Sequence, residues 1–245
     1  MKTMVNGTTS PPRNMHLSLL PKLGICMFSI FIAVKEVPGQ SSIDLQKQVS
    51  FDTHGQNTMH SLVQLASQER IPLGIIVDRD TLCKQPQSVH FAELAFADVV
   101  RSLLVDSGNT WFINNGVLEV RPTHTPEPAT QILSIRFDEF NALSTTVQGL
   151  GIILSGYIRS RLYPGQGYAG DILSSSDSEK VASFTLHNVS AEDIANAIVS
   201  RASKGVWILY AAFDGKEKLP RHIALRTYSY RDDAKILQDI PCSQL

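Results

Sequence analysis

Residues 88–122 read SVHFAELAFADVVRSLLVDSGNTWFINNGVLEVRP. Ser88 to Leu94 alternates polar and apolar residues, which predicts a strand with Val89, Phe91 and Leu94 turned inward. Phe96 to Asp106 then spaces its apolar residues for one helical face, and Gly108 can end that helix. Thr110–Ile113 and Val117–Val120 are two β-prone runs joined by Asn114-Asn115-Gly116, and an Asn-Gly step in that setting signals a tight hairpin. The order is therefore β-α-β-β.

Upstream, Val49-Ser-Phe51-Asp reads as a strand, and His54 to Asn57 as a turn. Met59 to Arg70 reads as a helix burying Met59, Leu62, Val63, Leu65 and Ala66. Pro72 to Asp78 (PLGIIVD) is an apolar run of buried-strand type. Residues 47–122 thus form a β-α-β-β-α-β-β module. Downstream, Pro122–Pro128 carries three prolines in seven residues, predicting an extended linker over 123–129. A second part spans 130–230. It comprises a strand over Ile132–Phe140, a helix over Thr145–Leu162 weakened by Gly149, Gly151 and Gly156, and a glycine-rich loop at Tyr163–Asp171. A strand over Ser183–Val189, a helix from the Ser190 N-cap to Ser200, and a last strand over His222–Tyr230 complete it. Residues 231–245 are a polar tail. The fold class is α+β: tandem small β-α-β-β-α-β-β modules, each with two helices packed on small sheets.

The second part echoes the first. Val89, Phe91, Leu94, Asp98, Val99 and Leu103 fall opposite Phe184, Leu186, Val189, Asp193, Ile194 and Ile198. With one residue of gap Trp111 falls opposite Trp207, and Phe51-Asp52 and Phe137-Asp138 occupy comparable early strands. Duplication and the common pattern of amphipathic β-α-β stretches both account for this.

VSFDTHGQNTMHSLVQLASQERIPLGIIVD, followed by the stretch quoted first, resembles the secretin and TonB short N-terminal domain family. The likeness lies in a strand with a Phe-Asp step, a Leu- and Ala-rich helix, and a short apolar strand ending in Asp. A second strand and helix follow, then a Gly-aromatic-hairpin close ending Val-x-Val-x-Pro. The likeness covers about residues 47–122 and extends more loosely to 130–215, where the insertion at 163–171 departs from the pattern. It implies a periplasm-facing, protein-binding module. The roughly thirty residues after 215 are not expected to supply a transmembrane barrel, whose strands each need about 9–11 residues.

Residues 1–39 read as a signal peptide. Leu23–Val34 is an uncharged apolar run after Lys2, Arg13 and Lys22, shorter than the roughly 20 residues of a membrane span. Met15 offers an alternative start, and small residues permit cleavage after Gly39. Export would place the chain in the periplasm or cell envelope, associated with membrane only through a partner or an uncleaved signal segment. Cys83 and Cys242 could then pair as a disulfide or remain free thiols, and spacing alone leaves both open.

The formal net charge is -1 over 245 residues with mixed signs, which argues against nucleic acid as a partner. No nucleophile elbow, phosphate loop or metal-ligand spacing is present, so no catalytic residue, cofactor or metal is assigned. His54, His60, His90 and His187 read as structural or surface residues. Trp111 and Trp207 are the candidate partner anchors, with burial in the core the alternative for each. Exposed strand edges offer a second binding mode, strand addition. The expected partner is an envelope protein or peptide. The competing function is an enzyme or small-ligand binder with a pocket between the modules, supported by the loop at 163–171. A degenerate remnant of a larger receptor or secretin is a third reading.

Overall fold

The computed structural model describes residues 42–77, 88–165, 179–202, 204–212 and 222–232. Within them the chain mixes helices and strands, consistent with the α+β class. The N-terminal apolar run, Cys83, Cys242, most of the glycine-rich stretch and nearly all of the polar tail lie outside the described residues.

The first half follows the expected order: β1 (Gln48–Asp52), α1 (Thr58–Glu69), β2 (Leu73–Ile76), β3 (His90–Ala95), α2 (Phe96–Leu103), β4 (Asn109–Asn114) and β5 (Val117–Pro122). Helix α1 starts where the Asn57 side chain accepts the His60 N–H at 2.9 Å, and it ends at Arg70 in the left-handed region, both ordinary capping devices. The β4–β5 turn has φ of 50° at Asn115 and 76° at Gly116. A two-residue turn of that hand matches the twist of the flanking strands.

The stretch 123–129 departs from the expected linker. Helix α3 (Glu127–Ser134) begins inside it, with Pro128 in its first turn. Proline is tolerated there because the first helical N–H groups have no intrahelical partner. Ala129, Ile132 and Leu133 give α3 a buried face, so the strand expected from Ile132 starts only at Arg136. The remaining elements are β6 (Arg136–Ala142), β7 (Thr145–Thr146), α4 (Val147–Leu162), β8 (Lys180–Val181), β9 (Phe184–Ser190), α5 (Ala191–Arg201), β10 (Gly205–Ala212) and β11 (His222–Ser229). Ser190 and Asp193 cap α5 reciprocally, a capping box that fixes its start.

Strands from both halves build one five-stranded sheet in the order β11-β10-β2-β5-β4. Strand β2 runs parallel to both β10 and β5, whereas β4–β5 and β10–β11 are antiparallel hairpins. Alternate residues of the sheet face two separate cores. Leu73, Ile75, Leu118, Val120, Val206 and Ile208 pack with α1, α2, β1 and β3. Ile76, Val117, Trp207, Leu209 and Leu225 pack with α3, α4, α5 and β6. Strand β2 is covered on both faces, which is why it is apolar at every position rather than alternating.

Each half contains an antiparallel ribbon followed directly by a helix. Strands β1–β3 and β6–β9 form antiparallel ribbons, and α2 and α5 follow β3 and β9 without a gap. Glu93 (φ 51°) and Asn188 (φ 52°) are both left-handed, three residues before those helices. At Glu93 the β1–β3 register slips between Val49 and Phe51, so Leu94, expected inward, is exposed together with Val89, and Phe91 alone is buried. The Phe-Asp echo is displaced as well. Val49 faces Leu94 as Phe137 faces Val189, which makes Phe140, opposite Leu186, the counterpart of Phe51.

The two halves differ at β5 and β11. In the first half β5 is flanked by β2; in the second half β11 is flanked by helix α4. Ser155 Oγ donates to the Leu225 carbonyl at 2.8 Å, and Thr227 Oγ1 donates to the Val147 carbonyl at 2.5 Å. Gly151 permits the approach, since a Cβ there would collide with Thr227 Oγ1 and lie 3.0 Å from its backbone nitrogen. Helix propensity alone favours Gly151→Ala by about 1 kcal/mol. The contact reverses that sign, and urea denaturation should show a loss of about 1–3 kcal/mol from overpacking. A stabilised variant would mean that α4 can stand off from β11.

Candidate functional site

The β4–β5 hairpin carries one exposed edge and one buried network. In a two-residue hairpin the residues flanking the turn form a hydrogen-bonded pair, and such pairs alternate along the ladder. Asn114 pairs with Val117, Phe112 with Glu119 and Thr110 with Arg121, so the main-chain groups of Trp111 and Ile113 point away from β5. Strand β4 ends the sheet, and among the described residues those outward groups have no main-chain partner. Phe112 and Ile113 are 38% and 37% exposed, and Trp111 is partly buried against the first core. The strand NTWFIN contains no charge and no proline, the two devices by which an edge is usually protected from further pairing.

On the opposite side of the hairpin, Glu119 is 0% exposed. Its Oε1 accepts from Asn114 Nδ2 at 3.0 Å and from Asn196 Nδ2 at 2.9 Å. Its Oε2 accepts from Arg121 Nε at 3.1 Å, and Arg121 also pairs with Glu192 at the start of α5. Asn196 Oδ1 in turn accepts the indole N–H of Trp207 at 2.6 Å. Residues 114, 119 and 121 belong to the first half, and 192, 196 and 207 to the second. This network satisfies a fully buried carboxylate, which would otherwise carry a heavy desolvation cost.

Trp207 is 0% exposed, so of the two alternatives read for it, partner anchor and core residue, it takes the core one. Its ring lies over Gly74 of β2, where a Cβ would come within 2.6 Å of Nε1, and the two residues are register partners. Trp207 anchors the second half to the first. Of the two tryptophans, Trp111 alone stands at an open edge. The sequence reading missed Gly74, Glu119, Arg121, Glu192 and Asn196. An alternating strand ending Glu-Val-Arg reads as solvent-facing on its charged side, and nothing local shows that α5 covers it.

Among the described residues the histidines do not assemble a site. His54 and His90 flank Asp52 at 3.4 and 3.6 Å, and His187 faces Glu139 at 3.7 Å, all on exposed ribbon surface. The backbone N–H of His54, donated to the Asp52 carboxylate, holds that carboxyl below its ordinary range, with the two imidazoles adding to the effect. His60 sits beside the Asn57 cap, with Asn57 Nδ2 2.8 Å from its Nδ1. Among the described residues no group of three or more His, Cys, Asp or Glu could hold a metal ion, and no helix is long and apolar enough to cross a membrane.

No family model matches this chain, and neither does any curated protein or solved structure.

Proposed function

We propose that the chain is an exported, non-catalytic protein-interaction component of the bacterial envelope, built from two tandem modules of the secretin/TonB short N-terminal type. The observation that carries this reading is the edge of β4: uncharged, with Trp111, Phe112 and Ile113 at its centre, paired along its length to β5 and unpaired on its outer side among the described residues. Such an edge suits strand addition, in which main-chain hydrogen bonds supply affinity and flanking side chains supply selectivity. The antiparallel pairing of β1 with β3 and of β6 with β9, and the left-handed residues Glu93 and Asn188 at matching places, support the tandem reading.

The test is a cross-linked pull-down from envelope extract with wild-type protein and Ile113→Lys as baits. Deletion of the first half would be uninformative, because β10 would lose its partner β2. Lysine on an edge strand opposes further pairing, and Ile113 is exposed enough to accept it. Reproducible capture of one envelope protein, reduced about tenfold or more by the variant (a loss of about 1.4 kcal/mol), is the expected result. Equal capture by both baits would remove β4 from the function. A folded wild-type bait that captures nothing would count against the interaction reading and favour a small-ligand binder.

A further inference from the structure

We infer that the edge of β4 takes an extended, uncharged apolar segment of a partner protein, parallel to β4, with a glycine opposite Trp111. This rests on the interaction reading above and names the kind of segment it requires. The molecule already contains one such junction. Strand β10 holds the place in the second half that β4 holds in the first: each follows the helix that succeeds a left-handed residue, each opens an antiparallel hairpin, and each carries a tryptophan turned to the helices of its own half. The edge of β10 facing away from β11 is occupied by β2 in parallel, with Val206 beside Leu73, Trp207 beside Gly74, Ile208 beside Ile75 and Leu209 beside Ile76. The edge of β4 continues the same sheet at its far side. Transferred to β4, the register sets an apolar residue beside Thr110, glycine beside Trp111, and β-branched apolar residues beside Phe112 and Ile113.

Glycine is specified for a steric reason. At the internal junction the Trp207 ring occupies the space that a side chain at position 74 would need. NTWFIN carries no charge, and the one guanidinium beside it, Arg121 over the Phe112 ring at 4.8 Å, is already paired with Glu119 and Glu192, so an uncharged segment avoids the desolvation cost that a charge against this edge would meet. A second copy of this chain cannot supply the segment from β2, which is already paired on both sides by β10 and β5.

The probe is a peptide of residues 72–77, PLGIIV, amidated at its C-terminus and carrying fluorescein on a flexible spacer, titrated into the full chain and followed by anisotropy. Parallel titrations use the peptide with valine in place of glycine and the Ile113→Lys protein. Hydrogen exchange at the Trp111 and Ile113 amides locates binding. The expected result is saturable binding of the glycine peptide below about 1 mM, at least about tenfold weaker binding of the valine peptide, loss of binding in Ile113→Lys, and new protection at both amides. Equal affinity for the two peptides, or binding without protection of those amides, would overturn the inference. So would concentration-dependent dimerisation abolished by Ile113→Lys, because a second β4 would then be the occupant. If the pull-down captures a partner through Ile113 while the glycine peptide fails to bind, the segment assignment falls and the interaction reading stands. If both fail, both fall.

Discussion

Trp207→Ala is expected to lower the unfolding free energy by about 3–5 kcal/mol, the range for deleting a fully buried aromatic side chain. Three costs combine at this position. The indole is wholly enclosed between β2 and the helices of the second half. Its removal leaves a cavity over Gly74, and Asn196 Oδ1 loses its donor. Urea denaturation followed by circular dichroism measures the change, and Trp111 fluorescence then reports on the first half alone. Gly74→Val supplies the reciprocal experiment. Alone it should destabilise, because its side chain meets the Trp207 ring. In the Trp207→Ala background it should restore part of the loss by filling the vacated space. Additive losses in the double variant would show that the two residues do not share one volume, since side chains in contact couple by about 0.5–3 kcal/mol.

Glu119→Ala is expected to cost about 3–5 kcal/mol, because removing one partner of a buried pair leaves the other uncompensated. Arg121 would keep Glu192, while Asn114 and Asn196 would each lose an acceptor. Arg121→Ala leaves the carboxylate with two amide donors and no opposing charge, so a loss of similar size is expected. The double variant should lose less than the sum of the singles. The cycle is read from urea midpoints at constant m-value. A single-variant loss below about 1 kcal/mol, the range for exposed ion pairs, would mean that α5 does not cover Glu119.

Much of the local structure was legible from residue patterns. The hairpin at Asn115-Gly116 followed from the backbone preference of that dipeptide, and the Ser190 N-cap announced the start of α5. The apolar periodicity of 59–70 and 96–103 showed which helix faces are buried. Two misreadings also have local causes. The Pro-rich stretch concealed α3, because proline in the first turn of a helix looks the same in sequence as proline in a linker. The alternation around Leu94 was broken by the left-handed Glu93, a conformation that glutamate does not advertise.

The candidate site was legible only in half. Trp111 stood out as a large aromatic residue on a β-rich hairpin, yet its equal in sequence, Trp207, lies at the centre of the molecule. Their difference depends on which edge of which strand β2 occupies, and β2 is separated from β10 by about 130 residues.

By itself the sequence determined most of the elements and their order, the Ser190 cap, the hairpin turn, and the buried faces of the two helices of the first half. These follow from backbone preference and periodicity, which act over a few residues. The tertiary structure alone decided that β10 joins β2, that α4 covers β11, that Glu119 is buried, and that β4 keeps an edge unpaired among the described residues. Those outcomes depend on side-chain fit and hydrogen-bond satisfaction between segments far apart in the chain, and no local pattern encodes them.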